Sequence, residues 1–259
     1  MSTPEHTPLR IAAIICAAGS SSRFGPGPGS KLDRDLHGKT VLARAVAAIA
    51  RHPQVATTVV AGPADPAALS AFVQRHGEEL APLGASICPG GIAERFQTVK
   101  AGLEHLTASG IHFDALLVHD AARPCVPSAL IRRVVEGLAR HSAVVPAVPI
   151  ADTLKRATTQ TDGSSPVVET IDRSGLFACQ TPQGFRADLI RRAYAQADLT
   201  STDDAQLVER LGEPVMLVTG DPGNIKITHP PDLDLARAIW QAQAAQAHPA
   251  AKGEAAASQ

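Results

Sequence analysis

The chain has 259 residues, 44% of them hydrophobic, enough for one large α/β domain or two small ones with a sizeable core. With 24 basic and 25 acidic side chains its formal charge is -1, so no overall field favours nucleic acid or an anionic membrane, and an anion site has to be local. No apolar run approaches the ~20 residues that cross a bilayer, the opening MSTPEHTPL lacks a signal-peptide core, and Cys16, Cys88, Cys125 and Cys179 form no CxxC pair; a soluble cytoplasmic protein is expected.

The first strand is expected at 11–16 (IAAIIC), followed by AAGSSSRFGPGPGSKL. Ala17, Ala18 and Gly19 carry little side chain, so successive backbone N–H groups can approach phosphates, with Arg23 and Lys31 closing over them from either side of a Gly/Pro spacer. The stretch is not a Walker A loop, because Leu32 follows Lys31, and no GxGxxG occurs. A plain strand-to-helix turn reads the same residues about as well. Further strands are expected at 55–60, 115–118 and 143–148, alternating with helical spacing at 40–51, 66–76, 94–107 and 127–140. The runs at 11–16 and 115–118 are apolar on both faces and read as central strands of a parallel sheet covered by helices. Ligands settle outside the carboxyl ends of such strands, where AAGSSSR and HDAARP lie.

From 149 to 174 polar and β-branched residues alternate around a DGSS turn, as in a two-stranded arm too poor in apolar residues to fold alone. It is expected to pack on another copy of the chain. A strand-like run near 176–181, helices near 186–197 and 203–211, a strand near 214–219 and a helix near 231–244 follow. Residues 1–244 read as a single domain without repeats, and the Ala-rich 245–259 as a frayed tail. The ten histidines show no metal-ligand spacing.

CAAGSSSR…SKL resembles the signature of nucleoside-diphosphate-sugar pyrophosphorylases and related cytidylyltransferases. GGIAERFQTVKAGL (90–103), LVHDAARPCV (117–126), DTLKR (152–156), TIDRSGLFACQTPQGF (170–185), TDDA (202–205) and GDPGNIKIT (220–228) are, in this order, similar to the 2-C-methyl-D-erythritol 4-phosphate cytidylyltransferase family. The resemblance implies a Rossmann-like three-layer α/β sandwich with a mostly parallel central sheet, of the nucleotide-diphospho-sugar transferase type, and a β-arm for dimerisation. It implies attack of the methylerythritol phosphate on the α-phosphorus of CTP with release of pyrophosphate.

By the same resemblance Arg23 and Lys31 bind the triphosphate, while Lys226 and Arg173 hold the attacking phosphate. Ala17, Ala18, Gly19, Gly91 and Thr98 surround the nucleotide, with base selection near the last two. Asp120, Ala121 and Arg123 belong to the pocket. Thr153 and Arg173 complete the neighbour's site across a homodimer, Thr202 meets the methylerythritol, and Mg2+ is held mainly by CTP phosphates. The chemistry suits these residue types. A phosphate monoester has a second pKa of about 6 and needs no general base, whereas two repelling anions need cations.

Individually the same residues carry plainer readings: Lys226 as a solvated edge lysine, Arg173 as a partner of Asp172, Asp120 as a turn cap, and Thr202 as a helix N-cap. Two departures from the family pattern stand out. Ser30 replaces a proline before Lys31, which is expected to loosen that lysine, and Ile92 stands after Gly91 where a carboxylate is implied. The alternatives are a cytidylyltransferase for another polyol phosphate such as ribitol 5-phosphate, and a catalytically silent nucleotide-binding scaffold.

Overall fold

Residues Ile11 to Ile15 of β1 (Ile11–Cys16) are buried on both faces, and their alternation sets the architecture. Ile11, Ala13 and Ile15 pack into one apolar layer; Ala12 and Ile14 pack into a second one on the opposite face. The computed structural model describes residues 9–19, 24, 30–161 and 163–247. Within them β1 is followed by α1 (Val41–Ala50), β2 (Val55–Gly62), α2 (Pro66–Leu80), β3 (Ala85–Pro89), α3 (Arg95–Ala108), β4 (Ala115–Asp120), α4 (Ser128–Leu138) and β5 (Ala143–Pro149). The short strands β6 (Leu154–Ala157), β7 (Val167–Ile171), β8 (Phe177–Cys179) and β9 (Gln183–Arg186) come next. The chain continues with α5 (Ala187–Tyr194), α6 (Asp204–Glu209), β10 (Met216–Thr219) and α7 (Pro230–Ala247).

The main sheet runs β10-β5-β9-β4-β1-β2-β3, with β8 also on β5. β1 pairs in parallel with both β2 and β4, which places the two doubly apolar strands in its middle, as their composition predicts. Residues of α1, α2, α4 and α7 cover one face, and those of α3, α5 and α6 the other. The fold is thus the expected three-layer sandwich with a mostly parallel sheet. β6 and β7 form a separate antiparallel pair, the two strands expected between 149 and 174. Among the described residues no helix is long and apolar enough to cross a membrane, and the four cysteines are free thiols.

The structure adds elements to the sequence reading. β3 is an edge strand whose residues are mostly half-exposed, so it lacks the apolar run that marked its neighbours. β9 has only Phe185 as a large apolar residue, yet it is inserted antiparallel between β4 and β5. Gly184 makes that insertion feasible, because a Cβ there would stand 2.8 Å from a Val134 methyl and 2.9 Å from one of Leu138. α7 carries the helix through Ala247, three residues into the stretch expected to fray; 248–259 lie outside the described residues.

Candidate active site

A cavity of about 320 Å³ opens at the carboxyl ends of the central strands. Cys16, Ala17, Ala18 and Gly19 line it after β1, Gly91 to Arg95 with Thr98 after β3, and Asp120 with Ala122 after β4. Phe24, Lys31, Leu32, Lys226 and Thr228 complete the wall. Two ladder-like bonds extend the sheet into the loops: Ala17 N–H donates to the Ala61 carbonyl at 2.9 Å and Ala121 N–H to that of Cys16 at 3.2 Å. Gly91 is required by close approach. A Cβ there would fall 2.4 Å from that of Gln97 and 2.7 Å from the Thr98 nitrogen, while its own N–H donates to Thr98 Oγ1 at 3.2 Å.

Asp120 is the electrostatic centre. Arg95 Nε donates to its Oδ1 at 3.0 Å, Lys226 Nζ contacts its Oδ2 at 2.8 Å, and Arg123 Nε lies 3.8 Å from the same oxygen. Burial alone would raise this carboxyl, but Arg95, Lys226 and Arg123 outweigh it and hold it well below the usual carboxylate range. Arg95 also donates to Asp204 Oδ2 at 2.6 Å, and the Tyr194 hydroxyl donates to Asp204 Oδ1 at 2.5 Å. Burial opposes the Arg95 charge, yet Asp204 and then Asp120 overcome it and keep the guanidinium protonated. Burial pushes the Cys16 thiol on the cavity wall up to about 12, so it stays neutral and is no nucleophile at pH 7.

The backbone behind Asp120 is fixed by a directed chain of hydrogen bonds. Asp120 N–H donates to Thr181 Oγ1 at 3.0 Å, and that hydroxyl lies 3.0 Å from His119 Nδ1. His119 Nε2 is 3.1 Å from the Arg123 carbonyl, which can only accept, so its proton sits on Nε2 and Nδ1 accepts from Thr181. Burial lowers the His119 pKa to about 4, keeping the ring neutral.

A family model described as 2-C-methyl-D-erythritol 4-phosphate cytidylyltransferase matches residues 11–242. The chain belongs to this family. It is 43% identical over 230 residues to the 2-C-methyl-D-erythritol 4-phosphate cytidylyltransferase of Rhodococcus jostii (strain RHA1), over 88% of this chain and 94% of that one. It is 42% identical over 231 residues to the enzyme of the same name from Frankia casuarinae, over 89% and 81% of the two chains. The crystal structure of 2-C-methyl-D-erythritol 4-phosphate cytidylyltransferase from Thermus thermophilus superposes with a TM-score of 0.68 at 36% identity, over 89% of this chain and 98% of that one.

Of the residues that the family pattern singles out, Ala17, Ala18, Gly19, Lys31, Gly91, Thr98, Asp120 and Lys226 line the cavity together. Lys31 Nζ donates to the Ile227 carbonyl at 2.8 Å, next in sequence to Lys226. Arg23 lies outside the described residues. Ala121 is buried beside the wall, and Arg123 stands behind Asp120 with its guanidinium donating to the Asn224 carbonyl at 2.7 Å. Thr153 and Arg173 are exposed at the arm, where Arg173 donates to the Ala151 carbonyl, and neither lines the cavity. Thr202 is exposed, and its N–H donates to Gln206 Oε1 at 2.9 Å.

Three plainer readings give way. Asp203, not Thr202, caps α6, its carboxylate accepting from Gln206 N–H at 3.0 Å. The Asp120 side chain holds cations rather than a turn, and Asp172 accepts from Ser174 N–H at 2.9 Å. At the Ser30 replacement the structure supplies local bonds in place of a proline. Ser30 caps a 3-10 turn over Lys31–Asp33, its Oγ accepting from Leu32 N–H at 3.2 Å while its own N–H donates to Asp33 Oδ2 at 2.8 Å. Ile92 is 91% exposed at the cavity mouth and supplies no charge there.

Sequence reasoning passed over Arg95, Asp204, Tyr194 and the His119–Thr181 pair. Arg95 and Asp204 sit inside the quoted ERFQTV and TDDA stretches. An arginine shortly after a glycine pair and an acidic residue inside an otherwise apolar helix face were the available signals.

Proposed function

We propose that this protein transfers the cytidylyl group of CTP to 2-C-methyl-D-erythritol 4-phosphate, giving 4-diphosphocytidyl-2-C-methyl-D-erythritol and pyrophosphate, a step in making isoprenoid precursors. The observation that carries the reading is the convergence of Lys31 and Lys226 on the cavity at the strand ends, one contacting the backbone beside the other. A phosphate oxygen of the acceptor attacks the α-phosphorus, the bond to the β-phosphate breaks, and pyrophosphate leaves. The Ala17–Gly19 backbone and Lys31, joined by Arg23, neutralise the triphosphate and the leaving group.

Lys226 is 38% exposed and tethered to Asp120 at 2.8 Å, which aims its ammonium at the space the acceptor phosphate would enter. Asp120 remains ionised throughout and orients cations; it takes no proton. In this reading base selection falls to the wall near Gly91 and Thr98, where Gly91 N–H already donates to Thr98 Oγ1 at 3.2 Å. Both Asp120 oxygens are shared with Arg95 and Lys226, a donor set that fits a Mg2+ arriving on the CTP phosphates rather than one caged by the chain. Such an ion lowers the charge of the triphosphate and polarises the α-phosphoryl group.

A homodimer completes this reading. The arm bears Val167 and Val168 at 59% and 60% exposure, and Thr153 and Arg173 would reach a partner's acceptor from it. We further place the enzyme in the cytoplasm. Incubation with CTP, Mg2+ and 2-C-methyl-D-erythritol 4-phosphate is expected to release one pyrophosphate per cytidylyl product, with at least ~10²-fold less from ribitol 5-phosphate. Equal turnover of the two acceptors would favour the broader polyol-phosphate reading, and CTP binding without turnover on either would favour a scaffold.

A further inference from the structure

We propose that His76, on α2 and away from the cavity wall, is a positioning residue for Lys31. The inference rests on the transfer reading above, in which Lys31 acts on the triphosphate. Lys31 is the first residue of a single 3-10 turn, and so short a turn has little stability of its own. What defines its geometry is Asp33, whose Oδ2 accepts from Ser30 N–H at 2.8 Å. Asp33 is itself held from α2: His76 Nε2 lies 2.9 Å from Oδ1 and Arg75 donates to Oδ2 at 3.0 Å.

The two α2 partners differ in what they can contribute. Arg75 is half-exposed, so its ion pair is screened and weak. His76 is completely buried against Phe72, with ring centroids 4.7 Å apart, and Asp33 is the partner of its Nε2. Its Nδ1 is buried without a hydrogen bond, a cost that a histidine kept only for packing would not carry and that phenylalanine would avoid. The His76 hydrogen bond therefore fixes the Asp33 carboxylate in rotation, Asp33 fixes the Ser30 N–H, and the turn delivers the Lys31 ammonium to the Ile227 carbonyl at 2.8 Å.

The test is a double-mutant cycle on the purified enzyme, scored by pyrophosphate release. His76→Phe keeps an aromatic ring against Phe72 and removes the hydrogen bond. It is expected to lower kcat roughly 10- to 100-fold, because small misplacements of an orienting group act at this scale, with KM for the acceptor changed about 2-fold or less. His76→Gln, which restores a donor, should recover most of the rate. In a Lys31→Ala background His76→Phe should have almost no further effect. The same fractional loss in both backgrounds, or no loss in the wild type, overturns the inference. A Lys31→Ala enzyme with normal kcat would instead overturn the assigned role of Lys31 itself, whatever His76 does. Should His76→Phe fail to fold, His76→Leu takes its place in the same cycle with the same expected pattern, and an equal loss in both backgrounds overturns the inference as before.

Discussion

At the scale of single residues the site depends on which groups keep their charge and which stay neutral. Asp120 stays ionised because three cations face it, and its contribution to stability is present above the ordinary carboxylate range. His119 is the opposite case. Its pKa falls from 6.5 unfolded to about 4 folded, so between those values the unfolded chain binds a proton that the native one does not. Stability should therefore be full above pH 6.5 and decline as pH falls toward 4, by on the order of 2 kcal/mol at pH 4.5. Urea unfolding at pH 7 and pH 4.5 checks this. The His119→Gln variant should lose less stability than the wild type over the same interval, and an identical loss in both would refute the assignment. Protonation of Nδ1 would also oppose the bond from Thr181 that fixes Asp120, so the rate should fall in the same window.

At the scale of elements the cavity is made of strand ends and one helix start. α3 begins with Arg95 just after the glycine loop, and Gln97 Oε1 ties that loop down by accepting from Ala93 N–H at 3.0 Å and Glu94 N–H at 3.1 Å. Gly91 has no room for a side chain against this turn. Gly91→Ala should therefore displace the loop, raise KM for CTP about 10-fold or more, and lower stability by about 1–3 kcal/mol. Steady-state kinetics with a thermal melt would measure both, and an unchanged KM for CTP would contradict the tight approach. The most hydrophobic strands were legible from composition because burial on both faces forces it. β3 and β9 were not. Their place follows from pairing with neighbours far away in sequence, which leaves only weak local signals.

At the scale of the whole molecule an arm of two short strands projects with its valines in solvent, and it carries too little apolar surface to hold its position alone. Sedimentation equilibrium is expected to return a dimer. Val167→Asp combined with Val168→Asp should shift it toward monomer and lower activity in proportion, since each site would lose the partner's Thr153 and Arg173. A fully active monomer would exclude the shared site.

The amino-acid order alone determined the βαβα alternation and the central strands, because periodicity is a local property, while the choice of phosphate-handling cations came from the resemblance of whole motifs to a family. Only the tertiary structure decided how those cations are held. Lys31 meets Ile227 across 196 positions, Arg95 joins Asp120 to Asp204, and His76 reaches the turn that carries Lys31. Such contacts are set by strand order and by helices docking across the sheet, and a side chain's partner at that distance leaves no trace in its immediate neighbours.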